Sequence, residues 1–294
     1  MDIELVRVTT ADGLRLDGAL SLPTEAARPE FSFDAVLCIH GAGGNFYGST
    51  LLEAVALRML ELGLAALSVN TRGHDIVSMA STSSGGRRQG GALEVVDDCR
   101  LDLIAWIDFL AQRQMPRVLL LGHSLGAVKA IYTMGAERLP SVVGVVAISP
   151  PYLSYNNFAA SPKRETFLAN IEAANTLVAA GQPDALMSVD FPLPYIISAA
   201  SYLDKYGPAQ RYNVVKHLER VAVPVLLTLG SLEVRNNVAF APLPAALEPL
   251  IASNQAFSLA VVAAADHFYS GARSELIGHV ERWLRRAYPA AGSG

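Results

Sequence analysis

A serine stands between two glycines at the end of an apolar run, in the sequence LLLGHSLGAVK (residues 119–129). The apolar residues 118–122 predict a buried β-strand, and residues 125–137 predict the helix that follows it. A G-x-S-x-G sequence between a strand and a helix is typical of a sharp turn that presents a serine for nucleophilic attack. We therefore predict that Ser124 is a catalytic nucleophile. For the motif alone, a capping serine in a glycine-rich turn is the alternative.

The turn itself explains the two glycines. A side chain at Gly122 or Gly126 would collide with the neighbouring strand and helix, and the tight turn predicts a strained backbone at the serine. The helix that starts at Leu125 would then direct its N-terminal N–H groups and its dipole at the serine hydroxyl.

A second glycine-rich turn, HGAGGN (40–45), directly follows the predicted strand AVLCIH (35–40). Glycines allow backbone N–H groups to approach a substrate oxygen closely. The N–H groups of Ala42 and Leu125 are the predicted oxyanion hole, with Gly43 as the alternative to Ala42. A phosphate-binding loop is the competing interpretation, but no G-K-[ST] sequence follows.

Of the six histidines, only His267 lies C-terminal to Ser124 at the end of a predicted strand (257–265). A general base for the serine is expected at that place, so His267 is the predicted base. His40 is expected to brace its glycine loop, and His123 to point away from the face of the nucleophile. His279 lies on the predicted terminal helix and is expected to pack or to face solvent.

The predicted orienting acid is Glu233, which follows the predicted strand 224–230. It is the only acidic residue between Glu219 and Glu248, and it completes the chain order serine, acid, histidine. No carboxylate directly follows the predicted strand 142–149. A solvent-exposed loop glutamate is the alternative for Glu233.

Composition excludes several classes of protein. The net charge is −4 without a Lys/Arg cluster, which argues against a nucleic-acid partner. No apolar stretch approaches the roughly 18 residues of a membrane span, and the N-terminal sequence does not resemble a signal peptide. We expect a cytoplasmic protein in which Cys38 and Cys99 are reduced core residues. Without H-x-x-x-H or C-x-x-C spacing, we expect no metal and no organic cofactor.

Apolar runs and amphipathic helices alternate along the chain and predict parallel βαβ units after an N-terminal β-hairpin. Residues 78–91 are rich in serine and glycine and predict a surface loop. The segment 150–220 interrupts the alternation and predicts a cap, with residues 1–149 and 221–294 forming the core. Most aromatic residues of the segment are expected to pack it onto the sheet.

Taken together, HGAGG, NTRGHD, GHSLG, GSLE and DH resemble the α/β-hydrolase superfamily over residues 3–287. The resemblance implies a mostly parallel eight-stranded sheet with helices on both faces and a cap between the sixth and seventh strands. It also implies a triad of Ser124, His267 and Glu233, although most members carry Asp where this chain has Glu. The NTRGHD segment (70–75) is expected to brace the carboxyl end of the sheet.

The expected function is hydrolysis of a small carboxylic ester through an acyl-enzyme. A C–C bond hydrolase, a thioesterase or an acyltransferase with the same triad is the first alternative. A non-catalytic ligand-binding member and a structural partner protein are the others. Candidate substrate-binding residues are Phe46, Tyr47, Tyr152 and Tyr195, and the sequence leaves the ester and the oligomeric state open.

Overall fold

The computed structural model describes residues 3–24 and 30–289. The outer ends of the predicted core and residues 25–29 lie outside the described residues. The strands are β1 (Ile3–Thr9), β2 (Arg15–Ser21), β3 (Ala35–Ile39), β4 (Ala65–Val69), β5 (Ser78–Thr82), β6 (Gly85–Gln89), β7 (Val118–His123), β8 (Val142–Ile148), β9 (Leu186–Val189), β10 (Tyr195–Ser198), β11 (Val225–Gly230) and β12 (Phe257–Val262). The helices are α1 (Thr50–Glu61), α2 (Cys99–Gln112), α3 (Leu125–Ala136), α4 (Tyr155–Ala159), α5 (Arg164–Ala179), α6 (Ala199–Tyr206), α7 (Val214–Leu218), α8 (Ser231–Asn236), α9 (Leu243–Ser253) and α10 (Arg273–Ala287).

Eight strands form the central sheet in the order β1-β2-β4-β3-β7-β8-β11-β12. Within this sheet, the strands β4, β3, β7, β8, β11 and β12 pair in parallel with their neighbours in that order. Strands β1 and β2 form an antiparallel hairpin at one edge, and β2 pairs antiparallel with β4. The predicted eight-stranded, mostly parallel sheet is confirmed. Parallel strands place all their carboxyl ends at one edge of the sheet, where residues distant in sequence meet.

Helices cover both faces of the sheet, so the central strands β3, β7 and β11 are buried along their whole length. Successive side chains of β3 point to opposite faces: Leu37 packs in the hydrophobic cluster that includes Trp106 of α2. Its neighbour Cys38 packs in the cluster that includes Met59 of α1. Cys38 and Cys99 are both free and buried, as expected, and burial raises the pKa of each thiol to about 12.

The segment between β8 and β11 holds α4 to α7 and the antiparallel hairpin β9–β10. Its interior is a cluster of buried aromatic rings. The ring of Phe158 lies 5.5 Å from Phe167 and 5.4 Å from Phe191, centroid to centroid, with edge-on contacts. Most aromatic residues of this segment therefore stabilise the segment itself.

The prediction of a surface loop at residues 78–91 is wrong. Strands β5 and β6 pair antiparallel there, and Gly85 takes a φ of 132° at the turn. Thr82 closes the turn by donating a hydrogen bond from Oγ1 to the carbonyl of Gly85 at 2.7 Å. The serines and glycines of this segment correctly indicate a turn. The residues on either side form strands without a run of apolar side chains, because the pairing of the hairpin satisfies their backbone N–H and C=O groups.

A buried charge network holds the segment after β4. Arg72 is 4% exposed, and Nη2 donates to Asp102 Oδ1 at 2.8 Å, while its backbone N–H donates to Asp102 Oδ2 at 2.8 Å. Asp12 accepts from Arg72 Nη1 at 3.1 Å. The indole of Trp106 donates to the carbonyl of Asn70 at 3.0 Å. These contacts fasten the segment after β4 to helix α2 and to the turn between β1 and β2.

Asp102→Ala removes the carboxylate that faces Arg72 and leaves a buried guanidinium without its closest partner. We expect the free energy of unfolding to fall by about 3 kcal/mol, measured by urea denaturation. The control is Asp108→Ala on the exposed side of the same helix, with an expected change within about 0.5 kcal/mol. Equal effects of the two substitutions would contradict the bracing role.

Candidate active site

A cavity of about 770 Å³ opens at the carboxyl edge of the central sheet. Ser124 follows β7 at its wall, His40 follows β3, and His267 lies five residues after β12. The segment between β8 and β11 also contributes to the wall, through Pro151, Leu153, Pro192, Leu193, Tyr195, Lys205 and Tyr206. The fold therefore brings the predicted serine and histidine to one cavity.

Ser124 has a strained backbone, with φ 56° and ψ −123°. Its N–H donates to the carbonyl of Ile148 on the neighbouring strand at 2.8 Å. A Cβ built on Gly122 would lie 2.3 Å from the backbone of Gly126, and one built on Gly126 would lie 2.3 Å from the carbonyl oxygen of Ile39. Both glycines are thus required for space, as the motif predicted.

The glycine turn after β3 presses against the serine. A Cβ built on Gly41 would lie 3.1 Å from Ser124 Cβ. Ala42 and Leu125 line the cavity, and within the described residues neither backbone N–H donates a hydrogen bond. Free N–H groups on a cavity wall are available to a substrate oxygen. Gly43, the alternative to Ala42, does not line the cavity.

His267 is held by Glu233. The distance between His267 Nδ1 and Glu233 Oε2 is 2.6 Å, and the carboxylate side chain is 3% exposed. The other carboxylate oxygen accepts from the N–H of Gly230 at 2.7 Å and from Ser149 Oγ at 2.5 Å. Glu233 lies in the first turn of α8, so the sequence alternative of a solvent-exposed loop residue is wrong.

Ser149, which the sequence analysis did not identify, extends this network. It directly follows β8, is fully buried and has a φ of 48°. Its hydroxyl lies 3.0 Å from the hydroxyl of Tyr269, which lies 2.9 Å from Thr228 Oγ1. The sequence feature that could have identified Ser149 is a polar residue at the carboxyl end of a central strand. Its side chain fixes the carboxylate that faces His267.

The prediction that His123 points away from the serine face is wrong. His123 lines the cavity, and its ring centroid lies 4.8 Å from that of His267. Burial, with the charge of His267 next, lowers the pKa of His123 to about 4. The neutral ring donates from Nε2 to the carbonyl of His267 at 2.8 Å and so holds the His267 backbone.

His40 braces its glycine loop, as expected. Nδ1 donates to the carbonyl of Gly41 at 2.7 Å, and Nε2 accepts from the N–H of Thr71 at 3.1 Å. Burial, with the charge of Lys129 next, lowers the pKa of His40 to about 3. A neutral ring is required for both hydrogen bonds.

Only one of the four candidate substrate-binding residues, Tyr195, lines the cavity. Phe46 and Tyr47 stack edge-on at 5.1 Å, and Tyr47 is 74% exposed, because the chain turns outward after the glycine loop. The N–H of Phe46 is tied to Asn70 Oδ1 at 2.9 Å. Tyr152 packs against the hydrophobic core. These three residues do not form the cavity wall.

A cluster of buried charges next to the cavity also escaped the sequence analysis. The carboxylate of Glu94 forms an ion pair with Lys129, and Lys205 Nζ lies 3.6 Å from Glu94 Oε2. All three side chains are at most 2% exposed. Lys129 also donates to Thr71 Oγ1 at 2.8 Å, which links the cluster to the loop held by His40. The sequence signal was an isolated charge within apolar residues.

Within the ranges 3–24 and 30–289, no group of three or more histidine, cysteine or acidic side chains is placed to hold a metal ion. In the same ranges, no helix combines the length and the apolar character needed to cross a bilayer.

Comparison with known proteins identifies the class. The model of the alpha/beta hydrolase family matches residues 36–292, and the chain belongs to this family. No curated protein matches the sequence significantly.

Three solved structures are similar in fold. Est1E from Butyrivibrio proteoclasticus with bound ferulic acid is 19% identical over 95% of this chain and 98% of its own, with a TM-score of 0.65. The esterase Pf2001 from Pyrococcus furiosus is 19% identical over 97% and 91%, with a TM-score of 0.64. The alpha/beta hydrolase GrgF from Penicillium sp. sh18 is 14% identical over 98% and 99%, with a TM-score of 0.66.

Gly126→Ala tests the space requirement of the turn, because the added methyl group would overlap with the carbonyl oxygen of Ile39. We expect the free energy of unfolding to fall by about 3 kcal/mol, at the upper end of overpacking effects. Gly86→Ala is the control, since its methyl group would meet only the flexible end of Met79 at 3.3 Å. Chemical denaturation that found both proteins equally stable would contradict the steric argument.

Proposed function

We propose that this protein hydrolyses carboxylic esters with Ser124 as nucleophile, His267 as general base and Glu233 as orienting acid. The observation that carries the proposal is the 2.6 Å contact between Glu233 and His267 on the cavity that Ser124 also lines. Among the described residues, no hydrogen bond joins the Ser124 hydroxyl to the His267 ring, whose contact is with Glu233. Such bonds often tighten only when substrate binds.

In the acylation step, the Ser124 oxygen attacks the ester carbonyl carbon while its proton passes to Nε2 of His267. Glu233 holds Nδ1–H and stabilises the imidazolium. The N–H groups of Ala42 and Leu125 bind the oxyanion of the tetrahedral intermediate. Each such donor lowers the barrier by about 3 kcal/mol. The carbon–oxygen bond to the alcohol then breaks, and the leaving oxygen takes the proton from His267.

In the deacylation step, His267 takes a proton from water, and the hydroxide oxygen attacks the acyl-serine carbonyl. The bond to Ser124 breaks, the proton returns from His267 to the serine oxygen, and the carboxylic acid leaves. Every proton is returned, so the cycle consumes only ester and water.

Two considerations favour an ester over a thioester or a C–C bond. Pf2001, which shares this fold, is named as an esterase, and Est1E, which shares it too, was solved with ferulic acid bound. The cavity wall also holds the apolar side chains Leu125, Leu153 and Leu193 beside Ser124, which suit an uncharged acyl or alcohol part. An acyltransferase or C–C hydrolase with the same triad remains the alternative.

The segment 150–220 acts in this proposal as a cap over a core made of residues 1–149 and 221–294. Support comes from the cavity wall, because the segment supplies Leu153, Leu193, Tyr195, Lys205 and Tyr206 to it. The catalytic residues come from outside the segment. The cap therefore selects the substrate, and the core performs the chemistry.

A fluorophosphonate probe tests the nucleophile. We expect the folded protein to be labelled on Ser124, because the activated serine oxygen displaces fluoride from phosphorus. Peptide mass spectrometry locates the adduct, and Ser124→Ala is the matched control that should remain unlabelled. An unlabelled wild-type protein, or an adduct on Ser270 of the same cavity, would contradict the proposed role of Ser124.

Glu233→Gln tests the acid, because an amide cannot stabilise the imidazolium as a carboxylate does. We expect kcat for 4-nitrophenyl acetate to fall by about 100-fold or more, with little change in KM. Glu248→Gln, on the exposed side of α9, should retain wild-type kcat. Wild-type turnover by Glu233→Gln would remove Glu233 from the mechanism.

A further inference from the structure

The wall of the cavity carries positive charge only. Lys205 and Arg273 line it, and among the described residues no aspartate or glutamate does. Arg273 donates from Nη2 to Thr50 Oγ1 at 2.7 Å, while its buried Nε has no hydrogen-bond partner within the described chain. A cavity with low-dielectric walls and charge of one sign attracts ligands of the opposite sign.

Lys205 is the deeper of the two cations, and its environment leaves it with incomplete charge compensation. The residue is 3% exposed, and its ammonium group donates to the carbonyl of Gly91 at 3.1 Å. Its nearest carboxylate, Glu94 at 3.6 Å, is already in closer contact with Lys129. Two cations thus share one carboxylate, and with both ammonium groups protonated the cluster carries one excess positive charge.

The neighbouring titratable groups do not remove this excess. His40 is neutral because burial, with the charge of Lys129 next, lowers its pKa to about 3. Asp204, next to Lys205 in sequence, accepts from Tyr212 at 2.8 Å and forms an ion pair with Arg211. Burial, which outweighs the attraction of Glu94, lowers the pKa of Lys205 itself, the direction expected of a cation that lacks a full counter-charge.

Tyr195 supplies an unsatisfied hydroxyl group near Lys205. Its hydroxyl is buried and has no hydrogen-bond partner among the described residues. The hydroxyl occupies the space left by Gly91, whose Cβ would lie 2.1 Å from it. Lys205 Nζ lies 5.8 Å from the centroid of the Tyr195 ring. A buried hydroxyl without a partner is uncommon, and a bound ligand is one way to satisfy it.

We propose that Lys205 and Tyr195 form a subsite for a carboxylate carried by the ester substrate. This subsite rests on the ester hydrolysis proposed above, because that reaction makes the bound molecule a substrate. A carboxylate accepts from an ammonium group and from a phenolic hydroxyl in charge-assisted hydrogen bonds. It would neutralise the excess charge of the cluster and satisfy the Tyr195 hydroxyl. The substrate is then an ester with an acidic acyl or alcohol part.

The first experiment measures binding without turnover. The Ser124→Ala protein is titrated calorimetrically with succinate, adipate and suberate, each against its uncharged diamide. We expect at least one dicarboxylate to bind about tenfold more tightly than its diamide, the value of one charge-assisted hydrogen bond. A series in which no dicarboxylate exceeds its diamide would overturn the subsite.

Variants assign that binding to the two residues. Lys205→Met leaves Glu94 and Lys129 as a balanced pair, and Tyr195→Phe removes only the unpartnered hydroxyl, so neither leaves a buried charge alone. Each should abolish the preference for the dicarboxylate, whereas Lys216→Met, at an exposed lysine, should keep it. Retention of the preference in Tyr195→Phe or in a folded Lys205→Met protein would overturn the assignment. If Lys205→Met does not fold, Tyr195→Phe decides alone.

The second experiment identifies the part of the ester that carries the carboxylate. Mono-4-nitrophenyl adipate is compared with its methyl ester for the acyl side, and 4-acetoxybenzoate with its methyl ester for the alcohol side. We expect about tenfold higher kcat/KM for the anion in one pair, lost in both variants. No preference in either pair overturns the role in substrate selection. Failure of the proposed function gives a different result. In that case no ester is cleaved and the fluorophosphonate probe does not react, while calorimetry still shows tighter binding of the dicarboxylate than of its diamide.

Discussion

At Ser124 the backbone takes φ 56° and ψ −123°, a region that costs a non-glycine residue about 1–3 kcal/mol. The cost is offset by what surrounds the turn: the hydrogen bond from Ser124 to Ile148 and the direct backbone contact of Gly126 with β3. Helix α3 can approach the sheet so closely only because Gly122 and Gly126 lack side chains. The position of the serine, of the free N–H of Leu125 and of the cavity floor all follow from this packing.

The carboxylate of Glu233 is buried, and hydrogen bonds hold it in position. Glu233 is removed from water, which would raise the energy of its charged form, yet its oxygens accept from Gly230, Ser149 and His267. Its position in the first turn of α8 adds the favourable field of a helix N-terminus. The Glu233 carboxylate is thereby held by three hydrogen-bond partners at 2.5–2.7 Å.

The sequence predicted the features that depend on local pattern. Strand and helix periodicity predicted the succession of strands and helices along the chain. Residues directly after strands, such as Ser124, could be placed because parallel strands end at one edge. It did not predict contacts that depend on packing between distant segments. Ser149 and Lys205 carry no motif, and the orientation of His123 is decided by a carbonyl 144 residues away. The hairpin at 78–91 was missed because its strands are polar and exposed.

Lys129, the cation of this cluster that is paired with Glu94, also has a structural role that is independent of any ligand. Burial, with the charge of Lys129 next, lowers the pKa of His40 to about 3 and so favours the neutral ring. Only the neutral ring can accept from Thr71 while it donates to Gly41. A second carboxylate in the cluster would balance the charge but would favour the imidazolium and release the glycine loop that carries Ala42. An anion that enters only with the substrate avoids that conflict, because it acts at Lys205, at the cavity wall.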